Sequence, residues 1–202
     1  MWQGRQGETV RRYLPNLSWL LLSATLAILA SVAQGSAAPN SRDIKVAKEF
    51  DSRAKSYLEW RDKTAGNAPS ATNSPEKLDG DRQVLANKLR TARAGARQGE
   101  IFTPAIAQYF RKQIAATLDG DKGHAIRVTL QHAEPVKGEI QINQSYPENV
   151  PLQSTPPTLL LNLPELPKTL EYRILGRELV LLDTDANIVV DYVPNALPDV
   201  SK

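Results

Sequence analysis

Apolar and polar residues alternate most regularly near the C-terminus, where three β-rich runs lie between Leu170 and Val193. The pair Gly176-Arg177 separates the first run from the second, and residues 184–187 separate the second from the third. A Gly-X pair between two such runs is typical of a two-residue hairpin, because glycine readily adopts the positive φ of the first turn position. The pattern therefore predicts a three-stranded antiparallel meander over residues 170–193.

These turns predict a register with Ile174 opposite Leu179 and Leu181 opposite Val190, which sorts the side chains onto two faces. The second face mixes Glu171, Arg173 and Asp191 with apolar residues. Because a three-stranded sheet needs cover to be stable, we expect helices on the first face. The first face is wholly apolar and carries Leu170, Tyr172, Ile174, Leu179, Leu181, Ile188, Val190 and Tyr192. The apolar band of the second face consists of Val180, Leu182, Val189 and Val193.

A proline-rich arm over residues 147–167 is the nearest candidate to cover the apolar band. Prolines favour extended backbone, so the arm is expected to run over the surface. We predict that it packs on the band, so that a charge at Leu160 or Leu161 would lower the melting temperature. The alternative is that the band is a docking surface, or that the arm is an extended ligand for another protein.

Helices are predicted upstream of the meander. Apolar residues recur at three- and four-residue steps from Ser41, a capping residue, to Lys63. Ser74-Pro75 and Thr103-Pro104 each combine a capping side chain with a proline at the first helical position, and so predict two more helix starts. The last of these helices is predicted to end at Leu118.

Two further runs, residues 125–131 and 139–143, alternate apolar and polar side chains and are predicted to be strands. The fold class is therefore α+β, with about three N-terminal helices followed by a small antiparallel sheet. The expected division is a helical region over residues 39–123 and a β-rich region over residues 124–198.

Residues 1–38 have the layout of a signal peptide. Arginines precede an apolar run from Leu17 to Val32, and small residues follow it before Pro39. The run is short for a membrane span, which needs about 20 apolar residues. We expect export with cleavage after Gly35, Ala37 or Ala38, and an uncleaved signal anchor in the inner membrane is the main alternative.

The composition of the chain excludes several classes of function. The chain has 202 residues, a formal net charge of +3 and spread basic residues, which does not indicate nucleic-acid binding. It contains no cysteine, which excludes disulfides, thiolate metal sites and a cysteine nucleophile. Only His124 and His132 remain for imidazole chemistry.

The stretch from Pro156 to Pro198, with RQGEIFTPAIAQYFR and INQSYPENVPL upstream, is similar to a family of small exported bacterial proteins with no assigned function. Its C-terminal part resembles the tail of periplasmic nickel/cobalt homeostasis proteins of the RcnB type. Tyr172-Arg173, Gly176-Arg177, Leu179 to Asp183 and Ile188 to Asp191 carry that resemblance. It covers about 25 residues, encodes mostly β-structure, and lacks the histidine-rich character of a metal-handling relative.

Several residues are candidates for a metal site or a charge pair. Asp119 to His124 is faintly similar to a calcium loop, but its glycine is displaced and Leu130 stands where a bidentate Glu is needed. On a strand, His124 and His132 would lie about 26 Å apart and could not share an ion. Arg173 and Asp191 are expected to form a solvent-facing charge pair of little energy.

Tyr109, Tyr172 and Tyr192 are expected at the edge of the core rather than in a binding cage. No phosphate loop, G-x-S-x-G elbow or H-E-x-x-H motif occurs. We therefore assign no catalytic, cofactor-binding or metal-binding residue.

The expected function is a non-enzymatic binding or structural role in the cell envelope, with an envelope protein as possible partner and no nucleic acid. One alternative is a periplasmic metal-stress accessory of the nickel/cobalt type. Another is an enzyme of unrecognised class, in which Asp183, Asp185 and Asp191 converge.

Overall fold

Helices occupy the first part of the chain and a sheet the last part in the computed structural model, which describes residues 40–66, 73–119, 121–132, 139–146 and 157–198. The signal-peptide prediction for residues 1–38 lies outside these ranges. The α+β fold class is confirmed. The helices are α1 Ser41–Ala65, α2 Pro75–Ala92, α3 Pro104–Leu118, α4 Asp121–His132 and the short α5 Pro157–Leu160. The strands are β1 Leu170–Leu175, β2 Glu178–Asp183 and β3 Ile188–Val193.

The helix starts follow the capping residues closely. Ser74 Oγ accepts a hydrogen bond from the Lys77 backbone N–H at 3.3 Å, and Thr103 plays the same role for α3. The cap of α1 differs from the expectation by one residue, because Asn40 Oδ1 accepts the Arg42 N–H at 3.2 Å. Each cap satisfies an N–H group that has no partner within the helix.

The first hairpin forms as its sequence predicts. Gly176 has a φ of 59°, and Leu175 pairs with Glu178, Ile174 with Leu179. Arg177 is not among the described residues with positive φ, which is the pattern of a type II′ turn. The strand order is β1-β2-β3, and both pairs are antiparallel.

The register predicted between β2 and β3 holds at Asp183 and Ile188 but is wrong beyond a β-bulge. The bulge lies beside Leu181 and Leu182, so that Val180 pairs with Tyr192 and Leu179 pairs with Val193. One extra residue reverses the faces of the residues that follow it. Val193 therefore packs in the main core, and Tyr192 lies on the second face.

The main core lies between the first sheet face and helices α1 and α3. Four aromatic rings meet at its centre: the centroid of Phe50 lies 5.4 Å from that of Phe102 and 4.9 Å from that of Phe110, and Phe110 lies 5.8 Å from Tyr172. Such tilted and offset pairs are favourable beyond the apolar area they bury. The expected helical cover of the first face is thus present.

Residues 139–146 cover the second face. The strand predicted over residues 139–143 is wrong. The segment runs through a turn and meets β3 at a single bridge between Ser145 and Ile188. Asn143 has a φ of 66°, and its backbone N–H donates to the Val189 carbonyl at 2.8 Å. Ile140, Ile142 and Tyr146 pack there against Leu175, Val180, Leu182 and Val189.

The described part of the proline-rich arm packs elsewhere than predicted. Leu159 and Leu163 are buried in the main core, and α5 contacts α3 rather than the apolar band. Leu160 is half-buried, whereas the side chain of Leu161 is 79% exposed. Residues 147–156 of the arm lie outside the described ranges.

The strand predicted over residues 125–131 is wrong, because these residues belong to α4. The alternation of apolar and polar residues there also places Ile126 and Leu130 four positions apart, on one face of a helix. Ile126 is buried in the main core. His124 is exposed, and eight helical residues separate the two histidine positions by about 12 Å along the axis rather than 26 Å.

Candidate functional site

Asp183, the last residue of β2, is fully buried and binds α1. Its Oδ2 accepts hydrogen bonds from the Tyr57 hydroxyl at 2.9 Å and from Arg61 Nε at 2.8 Å. Its Oδ1 accepts the Ala186 backbone N–H at 3.0 Å. A buried carboxylate is tolerated when it is paired and hydrogen-bonded in this way. We call these residues, together with Asp185, the Asp183 network.

The Asp183 network shifts the pKa values of Arg61 and Tyr57. Arg61 Nη2 also reaches Asp185 at 2.7 Å and Nη1 reaches the exposed Asp62 at 3.0 Å, so one guanidinium pairs with three carboxylates. Burial lowers the pKa of Arg61, but the hydrogen bond and charge of Asp183, together with Asp62 and Asp185, raise the pKa above its usual range. Burial, and then the negative charge of Asp183, raise the pKa of Tyr57 well above its usual range. Tyr57 therefore remains a neutral phenol that donates to Asp183.

Asp191, at the β-bulge, holds the α2–α3 loop, which we define as residues 93–103. Its carboxylate is fully buried and accepts four backbone N–H groups. Oδ2 accepts those of Ile101 and Phe102, each at 2.7 Å, and Oδ1 accepts those of Gly99 at 2.9 Å and Tyr192 at 2.8 Å. We call this set the Asp191 network. It fixes the loop against the sheet, since each bond to an ionised acceptor is a strong one.

A cleft of about 440 Å³ opens between α1 and the α2–α3 loop that these two networks position. This volume is within the range of small-molecule sites, roughly 300–1,000 Å³. Its walls include Arg53, Ser56, Tyr57, Trp60, Arg93 and Glu100. Ser56 is exposed and Trp60 is half-buried, while Tyr57 belongs to the Asp183 network.

Arg93 is the most constrained charged group of the cleft. Its side chain is only 10% exposed, and its guanidinium carbon lies 5.3 Å from the Tyr57 ring centroid and 6.0 Å from that of Trp60. Nη2 donates to Glu100 Oε2 at 3.1 Å and to the Val190 carbonyl at 3.2 Å. These contacts are typical of a cation held against aromatic faces.

The candidate residues from the sequence are distributed differently in the structure. Asp183 and Asp185 meet at Arg61, but Asp191 lies in a separate network, so the three carboxylates do not converge. The predicted charge pair of Arg173 and Asp191 is wrong. Arg173 Nη2 binds Glu171 at 2.8 Å instead, because the bulge directs Asp191 to the α2–α3 loop.

Tyr109 and Tyr192 pack at the edges of the core clusters, as expected, and Tyr172 is buried with its hydroxyl donating to the Pro164 carbonyl at 3.0 Å. Within the described residues, no group of three or more His, Asp or Glu side chains could hold a metal ion. Gly120 and the side chains of positions 121 and 122, which belong to the calcium-loop candidate, lie outside the described part of the chain. No helix in the same ranges is long and apolar enough to cross a membrane.

The cleft residues Trp60 and Arg93 were missed by the sequence reasoning. Trp60 lies beside the apolar stripe of α1, and Arg93 follows the end of α2, so neither stands out by spacing. The only signal was the rarity of tryptophan, since just three occur in the chain. Their proximity depends on tertiary packing between α1 and the loop.

Comparison of the chain with protein families, curated proteins and solved structures found no match.

Proposed function

We propose that the chain is an exported cell-envelope protein with a non-enzymatic binding or structural role. The observation that carries this proposal is the state of the two fully buried carboxylates, Asp183 and Asp191. A general acid or base must reach the proton that it transfers. Here every carboxylate oxygen of both residues accepts a hydrogen bond from the protein, so both groups hold elements together.

The cleft supports a binding role. It offers guanidinium groups and aromatic faces, which recognise ligands or partner side chains. Among the described residues of its walls the one carboxylate is that of Glu100, and it is bound to Arg93. Export is supported by the basic, apolar and small-residue order of residues 1–38.

Export is tested with a C-terminal alkaline phosphatase fusion to the full chain, since that enzyme is active only outside the cytoplasm. We expect activity from the fusion and none from a fusion that lacks residues 1–38. The mass of the mature protein should place its first residue between Ser36 and Pro39. A soluble cytoplasmic protein that retains Met1 would contradict export.

The binding role is tested by photo-crosslinking in cells, with a photoreactive amino acid at Ser56 in the cleft wall. Ser52, exposed one turn earlier on α1 and not a residue of the cleft wall, is the matched control. We expect a discrete adduct from position 56 that position 52 does not give. Identical patterns from the two positions would contradict a binding role for the cleft.

The nickel/cobalt alternative rests on the resemblance of the C-terminal tail. In this chain the residues that carry the resemblance build the meander and its core, with Leu179, Leu181 and Val190 fully buried. We propose no tight transition-metal site within one mature chain. Calorimetry with nickel, cobalt and zinc on tag-free protein should show no stoichiometric submicromolar binding. Binding that disappears in His124→Ala or His132→Ala would favour the homeostasis role.

A further inference from the structure

The guanidinium of Arg93, in the cleft wall, does not make all the hydrogen bonds that it could donate. Its Nη1 is buried and has no hydrogen-bond partner among the described residues. Nη2 is shared between Glu100 and the Val190 carbonyl. A buried donor without an acceptor is unfavourable, and an arginine fork is well suited to bind both oxygens of one carboxylate. The site therefore has donor capacity beyond what the folded chain uses.

The carboxylate that accepts from Arg93, that of Glu100, can move away from it. Glu100 is about half exposed, with 47% of its side chain accessible, and its Oε1 accepts only the Arg97 backbone N–H among the described bonds. Its carbonyl oxygen, in contrast, is held by Arg53 Nη1 at 2.9 Å. The carboxylate of Glu100 can thus swing into solvent while the backbone stays in place, because nearly half of that side chain is already accessible.

From this geometry we propose that the cleft binds a molecule with one carboxylate and an apolar body. The carboxylate replaces that of Glu100 on Arg93, and the apolar body lies against Trp60 near Ser56. A carboxylate already fits at this position, because Glu100 places one there. A single negative charge is favoured, because Glu49 at 3.0 Å already balances Arg53.

This inference rests on the proposed binding role and names its ligand class. Two sources share the chemistry: a free aromatic or aliphatic acid, and the C-terminal carboxylate of a polypeptide. Both place a carboxylate next to an apolar group, and the probes below distinguish them. Failure of the titration would leave the export test untouched, so the two proposals can fail separately.

Trp60 gives a direct readout in the segment Pro39–Lys202, where it is the sole tryptophan. That segment forms a compact unit of its own and contains every residue of the three core clusters. We would titrate it with 4-phenylbutyrate and its neutral amide, and with N-acetylleucine and its amide, following Trp60 emission. We expect saturable changes with the acids and at least tenfold weaker binding of the amides.

The relative affinities of the two acids identify the source. Tighter binding of N-acetylleucine would indicate a polypeptide C-terminus, and tighter binding of 4-phenylbutyrate a free acid. Equal affinity for acids and amides would overturn the proposal, and so would the absence of a saturable change with every probe.

Three variants test the exchange of carboxylates on Arg93. Glu100→Gln removes the internal competitor and should tighten acid binding several-fold. Arg93→Gln should weaken it at least tenfold. Because Arg93 also binds the Val190 carbonyl and could be needed for folding, Ser56→Phe is the second arm, since it fills the cleft from an exposed position. Ser52→Phe is its matched control. Weaker acid binding by Glu100→Gln, or equal binding by both Phe variants, would overturn the proposal.

Discussion

At the scale of single residues, the two buried aspartates differ in what balances their charge. Asp183 faces the guanidinium of Arg61, whereas the four described donors to Asp191 are all backbone N–H groups. Backbone groups cannot rotate away without moving the loop. Three of these donors belong to the α2–α3 loop, so Asp191 fixes the loop backbone while Ile101 and Phe102 of the same loop pack in the main core.

Replacing Asp191 with Asn should lower the free energy of unfolding by about 3 kcal/mol or more. The substitution removes the charge and turns an amide NH₂ towards backbone N–H donors, which leaves buried donors unsatisfied. Urea unfolding measures the change, with Asp79→Asn on the exposed side of α2 as the control. A change within about 0.5 kcal/mol, the usual range of surface substitutions, would contradict the Asp191 network.

Replacing Tyr57 with Phe should lower the free energy of unfolding by about 1–2 kcal/mol at neutral pH, because Asp183 loses one donor. The raised pKa of Tyr57 predicts a pH dependence. The folded state favours the neutral phenol, so this stabilisation is present below about pH 10, the ordinary tyrosine pKa, and is lost as pH rises above it.

The difference between wild type and Tyr57→Phe should therefore shrink above about pH 10. Tyr172, whose pKa burial also raises, is present in both proteins, so its contribution cancels in the difference. Urea unfolding at pH 7, 9 and 10.5 measures the trend. A difference that grows with pH would contradict the assignment.

At the scale of elements, two glycines in open space predict opposite effects of the same substitution. A Cβ at Gly176 or at Gly80 would meet nothing within 4 Å. Gly176→Ala should lower the free energy of unfolding by about 1 kcal/mol, because alanine rarely adopts a φ of 59°. Gly80→Ala, inside α2, should raise the free energy of unfolding by about 0.5–1 kcal/mol. Thermal melting measures both, and changes of equal sign would contradict the turn assignment.

The described part of the arm predicts a contrast between neighbouring leucines. Leu159→Ala should cost about 2–5 kcal/mol, because Leu159 is fully buried in the main core. Leu161→Asp should change the stability by about 0.5 kcal/mol or less, because that side chain faces solvent. This replaces the expectation from sequence that a charge at Leu161 would destabilise the fold. Comparable losses in both variants, measured by urea unfolding, would contradict this packing.

Local chemistry decided which elements were predictable from sequence. Pro75 and Pro104 mark helix starts, and Gly176 sets the register of the first hairpin, because each acts through its own backbone. The bulge was not predictable, since it serves Asp191 and a loop that lies about 90 residues away, as the bond to Ile101 shows. The apolar residues in 125–131 fit both the two-residue period of a strand and the 3.6-residue period of a helix. Only packing against the core decides between the two structures.

The cleft was still less predictable. Its walls come from α1 and the α2–α3 loop, and no pattern in either segment refers to the other. The cover of the second face, residues 139–146, was predictable only in part. The need for cover followed from the apolar band, but the choice of residues 139–146 depended on two backbone hydrogen bonds. The Asn143 N–H donates to the Val189 carbonyl, and the Val189 N–H donates to the Gln144 carbonyl.

At the scale of the whole molecule, we expect the cover of the second face, residues 139–146, to prevent self-association. Tyr146→Asp should uncover Val180, Leu182 and Val189 on the second face and promote self-association, because exposed apolar patches associate. Light scattering and binding of a hydrophobic dye measure the effect. Gln141→Asp, at an exposed position of the same segment, should remain like wild type. A Tyr146→Asp variant that stays monomeric and binds no dye would show that the cover is dispensable.

The bond between Arg61 and Asp183 joins residues 122 positions apart, which has a consequence for synthesis of the chain. A ribosome adds about 5–20 residues per second, so α1 waits roughly 6–24 s for its partner in the sheet. During that interval the helices lack the sheet that completes their core, and the nascent chain is open to chaperones and proteases. A stop codon before Asp183 would leave both aspartate networks unformed, and the truncated product should be degraded rather than accumulate.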